Sequence, residues 1–418
     1  IQMGHRTSDL ASHKFQFCYA SIECVLHPEL KGKYLAVCGS TEERHGIVLA
    51  KNELAKKCGV KTGDVIWEAK QKCPQLTIVP PHMDQYVKFS KLVRSIYLRY
   101  SPDAEAFGID ESWIEMTGSP LLSRHTPSEI ANELRETVKA ETGLTVSIGV
   151  SFNKIFAKLG SDMRKPDAVT VIPEDSFQEM VWPLPVSDLL YVGRATTDKL
   201  ARYGVRTIGA LAASDPEFLQ RILGRNGLKL WAYANGKDQS RVMPSDYESI
   251  IKSIGHGVTC TSDLVNEQEV RQVLLELSQE IGKNLRCSKL AASGVRICVR
   301  DNTLYHQEYQ TRLPFPTQSF LKIAEAGAQL FHRRYAWHNH VRSLTISAID
   351  LVPENTPIQL DLWTDFSRYK RKLELERTVE EIRRRFGTTA INFASLGTAL
   401  KIPSHREVEY KMPSVMYQ

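Results

Sequence analysis

The sequence predicts an α+β protein of several domains, and three observations lead there. At 418 residues the chain is too long for one ordinary core, so roughly two to four domains are expected. Up to residue 172 strand-like and helix-like stretches alternate in an order that suits a sheet domain. Beyond it the texture changes twice, first to helices with tight glycine turns and then to a second strand–helix alternation.

Residues 15–50 mix short apolar runs with turn residues, giving strand and helix around a corner at 28–32. Residues 51–57 read as a helix closed by Gly59, and 86–97 place apolar residues at helical spacing. Two β-like stretches, 106–116 and 145–150, bracket a helix over 127–142. Residues 173–240 are helical. The stretch 267–285 is then a long amphipathic helix with Val270, Val273, Leu274, Leu277 and Ile281 on one face. Strand-like 294–300, a helix over 318–334 and strand-like 343–351 complete a β-α-β-α-β module at about 250–352. The tail holds a charged helix over 368–385, with eight basic and four acidic residues.

Composition sets limits on function. Apolar residues at 42% and charged residues at 24% are ordinary for a globular protein. No apolar run approaches the length of about 18 residues that a membrane span needs, and the first residues show no apolar leader core. The eight cysteines are scattered without CxxC or Cys/His metal spacing, which fits reduced thiols in a cytoplasmic protein. A formal charge of +6 permits a polyanionic partner without establishing one.

Two segments bear chemistry. In FGIDESWIEMTG (107–118) the carboxylates of Asp110 and Glu111 are adjacent. Neighbours in a regular strand point to opposite faces, so such a pair can share a metal site only where the alternation breaks, at a strand end or hairpin turn. Two magnesium ions about 3.5–4 Å apart need several carboxylates around them; alone, the dipeptide reads first as a solvated turn. The second segment, SIGVSFNKIFAKLGSDMRKP (147–166), is a strand exit followed by a helix with lysines at 154, 158 and 165. A helix start near Asn153 and a lysine near its end suit phosphates; solvated lysines on an amphipathic helix are the other reading.

Taken together, CYASIE, GVKTG, WEAKQKCP, FGIDES, SIGVSFNKIFAK and SDMRKP resemble the Y-family, translesion-type DNA polymerases, in their bacterial DNA polymerase IV-like branch. The resemblance runs from about residue 17 to 352. It implies a right-hand architecture: a ferredoxin-like palm (9–19 and 84–172), small fingers (20–83), a helical thumb with a helix-hairpin-helix-like unit (173–240) and an α/β little finger (250–352), with a tail over 353–418. The implied function is error-prone, lesion-bypassing DNA synthesis in damage tolerance, by a monomer using two Mg²⁺ ions, primer-template DNA and deoxynucleoside triphosphates.

Carried over by position, Asp110 and Glu111 are the metal-binding catalytic acids. Tyr19 is the bulky gate against the sugar C2′ position, which would clash with a 2′-hydroxyl. Lys165 contacts the incoming triphosphate, and Lys56 stands where a fingers residue reaches the same phosphates, although Glu53 replaces the usual tyrosine three residues before it. In the thumb, LLYVGRATTDKLARYGVRTIGALA (189–212) places Gly193 and Gly204 in turns that present N–H groups to phosphate, with Arg194, Lys199 and Arg206 adding charge. KSIGHGVT (252–259) resembles the start of the little finger, where Lys252, Ser253, Arg296, Arg300, Arg333 and Arg342 would follow the duplex backbone. The sliding clamp is a further implied partner, and QLDLW (359–363), with Gln359, Leu362 and Trp363, is the segment nearest to a clamp-binding pattern.

One position departs from the family. Its members carry a metal-binding aspartate five residues before the gate, and counting back from Tyr19 lands on Lys14. Three readings stay open: a catalytically impaired homologue that binds DNA as a scaffold, a misread N-terminal sequence before Phe17, or Asp9 acting in its place.

Overall fold

The computed structural model describes residues 18–42, 44, 46–359, 365–397 and 400–403, together with the backbone path of 10–15. They form two compact units, one of the described residues up to Gly39 with Ile47–Ser249, the other of the described residues in 40–46 and from Ile250 onward.

In the first unit, β1 (Leu10–Phe15) leads to α1 (Cys18–Leu26). A small sheet follows, of β2 (Leu35–Cys38), β3 (Val48–Lys51) and, after α2 (Glu53–Lys57) and α3 (Ile66–Lys72), β4 (Thr77–Val79). Its core is made of small side chains, among them Ala36, Val48, Ala55, Val60 and Ala69. The helix expected over 51–57 is shorter than its pattern. Lys51 ends β3, and the Asn52 side chain accepts the Ala55 N–H at 3.0 Å to start α2.

The middle of this unit is a five-stranded sheet in the order β5-β6-β1-β7-β8. Helix α4 (Met83–Tyr97) precedes β5 (Ala104–Ala106) and β6 (Glu111–Glu115); then come α5 (Pro127–Thr142), β7 (Val146–Ser151), α6 (Lys154–Met163) and β8 (Val169–Ile172). The single β stretch expected over 106–116 is therefore a hairpin, with a turn at 107–110. Helix α5 has the expected bounds because its ends are written locally: a reciprocal Thr126/Glu129 capping box, Pro127 in the first turn and Gly143 at φ +71°. Helices α4 and α5 pack Tyr86, Val93, Leu134 and Val138 with Ile114 and Ile148 of the sheet. Helix α6 approaches β7 closely, since a Cβ on Gly149 would stand 1.9 Å from the Ala157 carbonyl oxygen.

The unit continues through α7 (Phe177–Val181), α8 (Arg194–Ala201), α9 (Ile208–Ala212), α10 (Pro216–Leu223) and α11 (Arg225–Ala234). Their core, with Phe177, Val181, Leu200, Leu211 and Leu230, is continuous with Phe156 and Leu159 of α6.

The second unit runs β9 (Ile254–Leu264), α12 (Glu267–Cys287), β10 (Leu290–Asp301), β11 (His306–Thr317), α13 (Phe320–Arg334), β12 (Val341–Pro353) and α14 (Phe366–Phe386). Its antiparallel sheet has the order β11-β10-β12-β9. The expected β-α-β-α-β order omits β11, whose mostly polar sequence HQEYQTRLPFPT carries two prolines. It is an edge strand, where proline is tolerated. The amphipathic face read on α12 is buried, packing Val273, Leu277 and Ile281 with Ile297 and Ile346.

Helix α14 docks on this unit. Glu376 is buried and accepts the Ser319 hydroxyl at 2.6 Å and the Phe320 N–H at 3.1 Å, satisfying the start of α13. Arg286 Nε reaches Glu380 at 2.7 Å. Leu362 and Trp363 lie outside the described residues. Among those described, no helix is long and apolar enough to cross a membrane.

Candidate active site

Asp110 closes the hairpin turn and Glu111 opens β6, so the strand alternation is broken where the two acids meet. The Phe107 and Gly108 N–H groups both point to the Glu111 carbonyl, at 2.9 and 3.3 Å. Beside β6 lies β1, in which Lys14 is the register partner of Glu111 on one side and of Ser147 on the other. The position reached by counting back from Tyr19 thus adjoins the acid pair, and it holds a lysine. Asp9 lies outside the described residues.

Of the three lysines, Lys154 and Lys158 on α6 are buried rather than solvated, and Lys165 lies just past the helix. Lys154 is buried: its ammonium donates to Glu105 Oε2 at 2.6 Å and to the Arg241 carbonyl at 3.3 Å, and sits 4.3 Å from the centre of the Trp113 ring. Lys158 is also buried, with its nitrogen 3.6 Å from Glu111 Oε1 and in contact with Asp162 Oδ2. Lys165 contacts the other Asp162 oxygen, Oδ1. Burial alone would raise the Asp162 carboxyl, but the two ammonium groups hold it below the usual carboxylate range. Just past Lys165, Asp167 forms ion pairs of 2.8 Å with both Arg135 and Lys139 of α5.

On α1, the Tyr19 ring stacks on Tyr86 of α4, with centroids 4.3 Å apart and planes 10° apart. Tyr86 is buried and donates to Glu23 Oε1 at 2.5 Å, an oxygen that also meets His82 Nδ1 at 2.9 Å. Burial, then the Glu23 carboxylate, pushes the Tyr86 phenol far above its ordinary range. Lys56 on α2 lies 3.7 Å from Glu53 and is half exposed.

A model of the impB/mucB/samB family matches residues 14–162, and its C-terminal domain model matches 251–362. DNA polymerase IV of Acetivibrio thermocellus is 48% identical over 370 residues, covering 88% of this chain and 92% of that protein. The chain belongs to the Y-family of DNA polymerases, in the DNA polymerase IV branch. DNA polymerase IV 1 of Bacillus subtilis is 35% identical over 376 residues, with 89% of each chain covered. A Y-family polymerase chimera of Dbh and Dpo4 shares the fold at TM-score 0.73 and 21% identity, covering 82% of this chain and 99% of its own.

The nucleic-acid residues expected of such a polymerase are distributed over both units. In the helical region Gly193 is the N-cap before α8, Arg194 is almost fully exposed, and Gly204 turns the chain at φ +78°. In the second unit α12 and α13 cover one face of the sheet, and Arg296 and Arg300 point from the other, next to Val295, Ile297 and Val299 of the core. The register aligns Gln310, Arg296, Ser347 and Gly255 across the sheet, and His306, Arg300, Ser343 and Thr259 two rows on. Arg312 on β11 joins this face; the sequence reading missed it with its strand. Lys252 and Ser253 precede β9, and Arg342 sits at a β-bulge. Arg333 is in the last turn of α13, within the helix layer, and so does not share the arginine face.

The carboxylates of Asp110 and Glu111 are hard oxygen donors of the kind a divalent cation takes, and their turn places them at one end of the β5–β6 hairpin. Two carboxylates are a donor set of the kind that holds a divalent cation. A second ion calls for a further bridging carboxylate, and the register position beside Glu111 is Lys14. Among the described residues no group of three or more His, Cys, Asp or Glu forms a metal cluster.

Proposed function

We propose that Asp110 and Glu111 are the cation-binding acids of template-directed nucleotide addition in this lesion-bypass DNA polymerase. The observation that carries the reading is their placement at a broken strand, with β1 on one side and the Lys158–Asp162–Lys165 cluster nearby. A bound divalent cation supplies Lewis-acid polarisation of the reacting phosphate and lowers the pKa of the primer 3′-hydroxyl.

The chain's own residues do the rest. Lys165, and Lys56 from the small three-stranded sheet region, meet the triphosphate oxygens as point charges. Tyr19, backed by Tyr86, fills the space beside the sugar and excludes a 2′-hydroxyl. The Gly193 and Gly204 turns offer backbone N–H groups to DNA phosphates, while Arg296, Arg300, Arg342, Lys252 and Ser253 follow the duplex without reading its sequence. In this reading the five-stranded sheet is the palm (9–19 and 84–172), the fingers are 20–83, the thumb 173–240 and the little finger 250–352. The polymerase works as a cytoplasmic monomer, and QLDLW (359–363) is its sliding-clamp contact.

A scaffold that has lost catalysis is the weaker reading, since the relatives carry polymerase names along almost their whole length. Primer extension over a magnesium titration tests the metal assignment. Chelation abolishes synthesis, and Lys14→Asp lowers the magnesium needed for half-maximal rate; synthesis insensitive to chelation contradicts it.

A further inference from the structure

Glu111, Lys158, Asp162 and Lys165 form a line of alternating charge running from the acid pair to the triphosphate lysine. The Lys158–Asp162 and Asp162–Lys165 contacts alone would be ordinary pairs near a helix end. The 3.6 Å approach of Lys158 to Glu111 is different, because it sets a buried cation beside a carboxylate that is needed for a metal. A positive charge there opposes a divalent cation and competes for the same oxygen. Asp162 also contacts that ammonium and is itself partly exposed.

We propose that Asp162 is a positioning residue for the metal site: by pairing with Lys158 it keeps Glu111 available to a divalent cation. The inference rests on the assignment of Asp110 and Glu111 as cation-binding acids. Asp162 touches neither substrate nor metal and acts through Lys158. Without it, the whole charge of Lys158 falls on Glu111 and cation affinity drops. Without Lys158, Asp162 has no influence on the cation.

The test is direct cation binding. Mn²⁺ is titrated by electron paramagnetic resonance into the full chain bound to a primer-template ending in a dideoxynucleotide, with the matching deoxynucleoside triphosphate present. Asp162→Asn is expected to weaken Mn²⁺ binding about fivefold or more, and Asp162→Glu to restore it. In a Lys158→Met background, or Lys158→Gln if the first folds poorly, Asp162→Asn is expected to change nothing. Unaltered Mn²⁺ binding in Asp162→Asn, or the same loss in both backgrounds, overturns the proposal. Glu111→Ala run alongside separates the two levels: if it binds Mn²⁺ like the parent, the acid-pair assignment itself fails.

Discussion

Lys154 Nζ lies 2.6 Å from Glu105 Oε2, both side chains more than nine-tenths buried, at the base of the hairpin that carries Asp110 and Glu111. Glu105 also accepts the Met243 N–H at 2.8 Å, and the Trp113 indole donates to the Lys154 carbonyl at 3.0 Å. The pair thus ties the hairpin to α6 and to the segment leaving the helical region. Lys154→Met strands a buried carboxylate and is expected to destabilise the first unit by about 3–5 kcal/mol. Adding Glu105→Leu should recover much of that loss. Denaturant unfolding of the single and double variants checks both.

Tyr19 is held flat against Tyr86, so the residue proposed as the gate is a supported ring rather than a lone one. Tyr19→Ala is expected to raise ribonucleotide incorporation relative to deoxynucleotide by roughly tenfold or more, with little change in primer-template affinity. Single-nucleotide incorporation with matched ribo- and deoxynucleoside triphosphates measures the ratio.

Asp167 gives a pH dependence of defined sign. Burial pushes its carboxyl up, but Lys139 and Arg135 outweigh burial and hold it below its ordinary value. A depressed folded value means stability that is complete above the unfolded pKa, about 4, and lost as pH falls through the folded value. Asp167→Asn is therefore expected to cost about 1 kcal/mol at neutral pH, the pairs being partly exposed. The difference from the parent should close in acid. Unfolding curves between neutral pH and pH of about 2 follow it.

Arg296, Arg300 and Arg312 share the sheet face away from the helices, and Arg333 does not. Replacing any of the first three with alanine should flatten the slope of log affinity against log salt by about 1. Arg333→Ala should leave the slope unchanged. Fluorescence anisotropy of a labelled primer-template over a salt series separates them.

What was legible in the sequence follows from how local the determinants are. Helix α5 was readable to the residue because Thr126, Glu129, Pro127 and Gly143 mark its ends within the chain itself. The Asp110–Glu111 pair was legible as a candidate because neighbouring blocks share the family pattern, and its place at a strand break followed only from the hairpin. Strand β11 was not readable: its pairing with β10 is set by tertiary contacts, and Pro314 and Pro316 argue locally against a strand. The roles of Lys154 and Lys158 were hidden for the same reason. Their partners Glu105 and Glu111 are far away in sequence, so the helix alone read as a phosphate-facing or solvated surface. Likewise Tyr19 could be placed by motif, whereas its support by Tyr86 depends on α4 packing beside α1.

Primer extension by the parent chain and by Glu111→Ala, with magnesium, a defined template and all four deoxynucleoside triphosphates, tests the central assignment most directly. Extension by the parent and a loss of at least roughly a hundredfold in Glu111→Ala, with primer-template binding retained, is the result expected for a cation-binding catalytic acid. Extension by Glu111→Ala at the parent rate would contradict it.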